Sequence, residues 1–96
     1  MKHHIIVKYN EKVTDKDAMN DEVEKLFSCL PSEVEGVHGV TCFRNCIDRS
    51  NRYDLMIRID IDKEKLCIYD DCRIHHFWKD NYGHLLEKKC IFDYED

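Results

Sequence analysis

From Tyr53 to Ile61 the chain alternates without a break. Tyr53, Leu55, Ile57, Ile59 and Ile61 stand at one parity, and Asp54, Met56, Arg58 and Asp60 stand between them. Successive side chains of a strand point to opposite faces, so this run is a strand with one buried and one polar face. A strand of that kind requires a sheet with a covered side. Everything else in a chain of 96 residues has to be arranged around it.

Three further strands and two helical regions read out on the same logic. His3 to Tyr9 is a first strand, with Ile5, Val7 and Tyr9 sharing a face with His3, and His4, Ile6 and Lys8 on the other. Asn10 to Val13 connects it to a helix capped by Thr14 or Asp15. Met19, Val23, Leu26, Phe27 and Leu30 recur at helical spacing, and Pro31 is expected to end that helix. Val37 to Ile47 reads as a second strand, followed by turn residues Asp48 to Asn51. After the third strand, Asp62 can cap a helix carrying Leu66, Tyr69 and Cys72. A short helical stretch from Phe77 to Leu86 and a last strand from Lys89 to Tyr94 complete the pattern. The order β-α-β-β-α-β, with the second helical region broken, is the ferredoxin-like arrangement: an α+β subunit with an antiparallel sheet under one layer of helices. Residues 1–96 make one domain. The uncovered sheet face, with Asp54, Met56, Arg58 and Asp60 from the third strand, is polar enough to be wet or to meet a second copy.

Composition narrows the function classes. Fifteen Lys and Arg against twenty Asp and Glu give a formal charge of −5, without a basic face, so nucleic acid is not the expected partner. No apolar run is long enough for a signal sequence or a membrane span, and the expected location is the cytoplasm. The six cysteines are therefore expected to be reduced. They form no C-x-x-C pair, the usual spacing of a structural zinc site. Cys42 and Cys46, four apart on the second strand, read as small hydrophobes on one face. A metal site from His3, His75 and a cysteine has no support in spacing, so no metal or cofactor is expected.

Several of these segments, taken in order, resemble the stress-responsive A/B barrel (Dabb) family. The family opens with a strand of the form H-x-V-x-F-K-F, and His3-His4-Ile5-Ile6-Val7-Lys8-Tyr9 is similar to it. Tyr53-Asp54-Leu55 matches a Y-D-L strand start, Glu64 to Tyr69 matches E-x-L-x-x-Y, and Cys90-Ile91-Phe92-Asp93-Tyr94 matches the closing strand. The departure is at the family's H-P-x-H, which here reads Cys72-Arg73-Ile74-His75. The second His is kept, while the first His and the Pro are replaced. Without the proline a fixed φ is lost, and the loop is expected to differ. The resemblance implies a homodimer in which two ferredoxin-like sheets close into a shared barrel, covering the open faces.

The resemblance also implies where chemistry would sit. Plant polyketide cyclases, olivetolic acid cyclase among them, are similar to this chain, and by position their acting His and Tyr correspond to His75 and Tyr69. His3, Ile5, Val7, Phe27, Ile57 and Trp78 are expected to border the same pocket between sheet and helices and to bind the ligand. An imidazole can take a proton from carbon beside a carbonyl near neutral pH, and a phenol can donate to the enolate oxygen. The expected activity is a cofactor-free aldol cyclisation or isomerisation of a small, partly apolar carbonyl compound. The alternative is a non-catalytic stress-response or ligand-binding homodimer with structural His75 and Tyr69. His75 and Tyr69 are six apart, so they meet only if the helix breaks within Asp70 to Arg73.

Overall fold

A computed structural model describes residues 1–96. The alternating runs become the two central strands of one antiparallel sheet. Strand β1 is Lys2–Tyr9, β2 is Val37–Arg44, β3 is Leu55–Ile61 and β4 is Leu86–Tyr94. Their order is β2-β3-β1-β4, with every neighbouring pair antiparallel. In register, Ile5 lies opposite Ile57 on one side and Ile91 on the other, and Val7 opposite Leu55 and Lys89.

Helices α1 (Lys16–Phe27), α2 (Leu30–Glu33), α3 (Leu66–Asp70) and α4 (Arg73–Tyr82) complete the ferredoxin-like α+β subunit. Asp15 caps α1 by accepting from the Ala18 amide, which settles the choice between Thr14 and Asp15. Sixteen buried apolar side chains form one core, including Ile5 and Val7 of β1, Leu55, Ile57, Ile59 and Ile61 of β3, and Val23, Phe27, Ile74 and Trp78 of the helices. The Phe27 and Trp78 rings meet edge to face at 5.2 Å and tie α1 to α4. Each such side chain contributes about 1.5–3 kcal/mol on burial, and that sum holds helices to sheet. No helix is long and apolar enough to cross a membrane.

Local chemistry moves several expected boundaries. α1 stops at Phe27, and Pro31 lies in the first turn of α2, where its missing N–H costs no hydrogen bond. β2 stops at Arg44 because the Asn45 side chain bonds both the amide and the carbonyl of Ile47, closing a tight turn. Cys46 is thereby off the strand and does not share a strand face with Cys42. None of the six cysteines is buried: Cys42 and Cys72 are half-buried and the other four exposed. β3 starts at Leu55, so Asp54 is not on the uncovered face. Its carboxylate is buried, accepting from the Tyr9 amide at 2.8 Å and pairing with Lys16 at 3.1 Å. Asp62 makes no side-chain cap and pairs with His38 instead. β4 begins at Leu86, three residues earlier than its sequence pattern suggests.

Gly36 turns the chain into β2 at φ +92°, a conformation that side chains disfavour, and a Cβ there would come within 2.5 Å of Lys65 Cγ.

The face away from the helices is more apolar than β3 alone suggests. Ile6, Phe43, Met56, Cys90, Phe92 and Tyr94 share it with His4, Arg58 and Asp60. Phe92 is 62% exposed there, and the Arg58 guanidinium lies 5.6 Å from the centre of the Phe43 ring. His4 Nε2, Arg58 Nε and Asp60 Oδ1 are buried without a hydrogen-bond partner.

Candidate functional site

The break between α3 and α4 builds the site. Asp71 caps the end of α3, and Cys72 opens α4 in an extended conformation, its Sγ accepting from the His75 amide at 3.4 Å. α4 consequently begins at Arg73 rather than at Phe77, and His75 lies in its first turn. The expected break after Tyr69 is present, and it folds the His75 ring back to 4.9 Å from the Tyr69 ring. Across the sheet, His3 reaches Tyr69 edge-on at 5.5 Å.

These three aromatic side chains border a cleft of about 270 Å³ between the β4 edge of the sheet and helices α3 and α4. β1 contributes His3 and Ile5; the helices contribute Leu66, Tyr69, Asp70, His75 and Trp78. β4 closes the other side with Lys89 and Ile91. Of the residues expected from sequence, His3, Ile5, Tyr69, His75 and Trp78 come together here. Val7, Phe27 and Ile57 do not: each is 0% exposed, sealed in the core between sheet and helices. Leu66, Asp70, Lys89 and Ile91 were not anticipated. Lys89 and Ile91 alternate with Cys90, and the β1–β4 register sets them opposite Val7 and Ile5, the signal that marks their face.

Hydrogen bonding assigns distinct states to the polar groups. His75 Nδ1 lies 2.8 Å from the Asp70 carbonyl oxygen. A carbonyl only accepts, so Nδ1 carries the proton and donates it. In the neutral ring Nε2 is then the basic nitrogen, and it makes no hydrogen bond. Burial lowers the His75 pKa from its usual range; the Asp70 carbonyl opposes that effect, and the Lys79 and Lys89 charges add to it. Tyr69 is 1% exposed and its hydroxyl has no partner. Burial pushes its phenol well above the ordinary value, so the group stays a protonated donor. His3 is held through Nδ1 by the Asp93 carboxylate of β4. No group of three or more His, Cys, Asp or Glu side chains converges at ligand distance.

Known structures share this fold. A dimeric ferredoxin-like protein of unknown function from Thermobifida fusca superposes with a TM-score of 0.81 at 17% identity, covering 99% of this chain and 89% of that one. A Dabb family protein with a ferredoxin-like fold from Mesorhizobium loti gives 0.71 at 18% identity, covering 99% and 94%. The hydroxynitrile lyase from Passiflora edulis gives 0.77 at 10% identity, covering 97% and 89%. No family profile and no curated protein matches the sequence. The chain is thus a ferredoxin-like α+β subunit. More particularly, it has the fold of a Dabb family protein, the structural counterpart of the resemblance in its strand and helix motifs.

Proposed function

We propose that the chain works as a homodimer whose subunits each bind a small, partly apolar carbonyl compound in the cleft and abstract a proton beside its carbonyl. The observation that carries this reading is the pairing, in one cleft, of a neutral imidazole with an unbonded Nε2 and a buried phenol with an unpartnered hydroxyl. The C–H bond next to the carbonyl breaks, and its proton goes to His75 Nε2. The electron pair forms the enolate, whose oxygen accepts from Tyr69. Attack of that enolate on a second carbonyl of the same molecule is an aldol cyclisation; return of the proton to another carbon is an isomerisation. Neither step requires a metal or cofactor. The Passiflora edulis neighbour, named as a lyase, supports chemistry at this kind of fold.

Dimerisation is supported by the apolar exposure of the second sheet face, by the dimeric neighbours, and by His4 Nε2, which is buried there without a hydrogen-bond partner within the subunit. A second sheet over that face removes apolar area from water and supplies polar partners. We place the protein in the cytoplasm with its thiols reduced; rapid alkylation and mass spectrometry should then count six free thiols.

The deciding experiment is α-proton exchange. Butyrophenone in D₂O, followed by proton NMR, should lose its α-protons faster with the protein than without it. His75→Ala should abolish the acceleration, and Tyr69→Phe should reduce it about 10²-fold. Binding of the ketone without exchange would establish the non-catalytic ligand-binding dimer instead.

A further inference from the structure

We infer that the cleft selects carbonyl compounds that also carry a carboxylate, and that Lys89 is the residue that holds it; this deepens, and rests on, the ketone reading above.

Lys89 stands out for its position. Helix-facing places on β1 and β3 hold apolar side chains, with His3 the exception, but β4 sets Lys89 opposite Val7 on that same face. Its ammonium group borders the cleft with no ion pair or hydrogen bond of its own. Lys2, Lys8, Lys16 and Lys63 have carboxylate partners, so the Lys89 charge, unlike theirs, is free to meet a ligand. Asp70 also lines the cleft, yet its side chain does not pair with Lys89. The Asp70 carbonyl is already committed to His75.

Besides the Asp70 carboxylate, the polar groups left unsatisfied in the cleft are a cation at the mouth, a neutral hydroxyl donor that is fully buried, and a basic nitrogen. A molecule completes all three when it brings an anion, a carbonyl oxygen and an acidic C–H. Ile5, Leu66, Trp78 and Ile91 offer apolar wall for the rest of it. The Lys79 and Lys89 charges both act on His75, opposed there by the Asp70 carboxylate. Charge-assisted hydrogen bonds to a carboxylate are among the stronger polar contacts available to a lysine. In a bound oxo acid the ketone C–H gives its proton to His75 Nε2, the enolate oxygen accepts from Tyr69, and the carboxylate remains unchanged on Lys89.

The test uses two ketones that differ only in the terminal group. 3-Benzoylpropionate carries a carboxylate where butyrophenone carries a methyl. Calorimetric titration of the intact protein should show the oxo acid binding about tenfold tighter at low salt, with the preference shrinking as ionic strength rises. Lys89→Met, at an exposed position that does not threaten folding, should erase the preference, so that the two ketones bind with equal affinity. Lys89→Arg should keep most of it. Equal binding of the two ketones to the wild type, or a preference that survives Lys89→Met, overturns the inference and leaves the ketone reading standing. Binding of neither ketone removes that reading, and this inference with it. A Lys89-dependent preference without α-proton exchange upholds the inference and removes only the catalytic step.

Discussion

The imidazole Nδ1 of His75 lies 2.8 Å from the main-chain oxygen of Asp70, five residues earlier and across the break between two helices. That contact fixes which nitrogen is basic, and burial together with Lys79 and Lys89 keeps the ring neutral to lower pH than usual. Ketone exchange should therefore be flat across neutral pH and fall only on acidification below about 6.5, as Nε2 becomes protonated. Lys89→Met removes a positive neighbour and should move that fall to higher pH. Nitrogen-15 NMR of His75 should report the Nδ1–H tautomer at pH 7. A rate that rises on acidification would contradict the assignment of His75 as base.

Two buried tyrosines should answer differently to loss of the hydroxyl. Tyr9 donates to Asn20 Oδ1 at 2.7 Å, and Asn20 is itself buried. Tyr9→Phe strands that acceptor and should cost about 1–3 kcal/mol. Tyr69 has no partner to strand, so Tyr69→Phe should leave stability unchanged or raised by up to about 1 kcal/mol. Urea denaturation of both variants provides the comparison. A large loss in Tyr69→Phe would mean that the hydroxyl has a structural role.

The second sheet face should set the assembly state. Light scattering is expected to give about twice the 11.6 kDa chain mass. Phe92→Asp places a charge at the most exposed aromatic side chain of that face and should shift the mass to that of one chain. Phe77→Asp, on the exposed side of α4, should leave it unchanged. Identical masses for wild type and Phe92→Asp would remove that face as the interface.

Phe27 should be indispensable to the core without touching the cleft. Its ring is fully buried against Trp78, and Phe27→Ala should cost about 3–5 kcal/mol. Phe27→Leu, closer in volume, should cost less and leave ketone affinity within about twofold. A selective loss of ketone binding in Phe27→Leu would place this residue in the site after all.

The parts legible in the sequence are those where one physical pattern acts alone. β1 and β3 are covered on one face and open on the other, so their alternation reads directly as strands with a helix-facing side. The break that brings His75 to Tyr69 was legible from Asp70-Asp71 near a helix end. β4 was harder: at the sheet edge its helix-facing side is Lys89, Ile91 and Asp93, a cleft wall rather than a core, so its burial does not alternate. For the same reason sequence could not separate cleft from core. Ile5 and Ile57 are cross-strand neighbours with similar side chains, and only the place of β4 beside β1 makes one a wall of the cleft and leaves the other sealed. The Cys72 cap was hidden because a thiol is a weak acceptor with no strong positional signature.

The contact between His3 and Asp93 joins residues 90 positions apart. During synthesis β1 emerges first, yet its partner on that side, β4, is made last of the four strands. Until then the β1 edge that will carry His3 against Asp93 stands open, and Tyr69 and His75 face no opposite wall. The cleft is thus completed only once β4 is available, and a chain that lacks β4 displays an unpaired strand edge, a feature prone to non-native association.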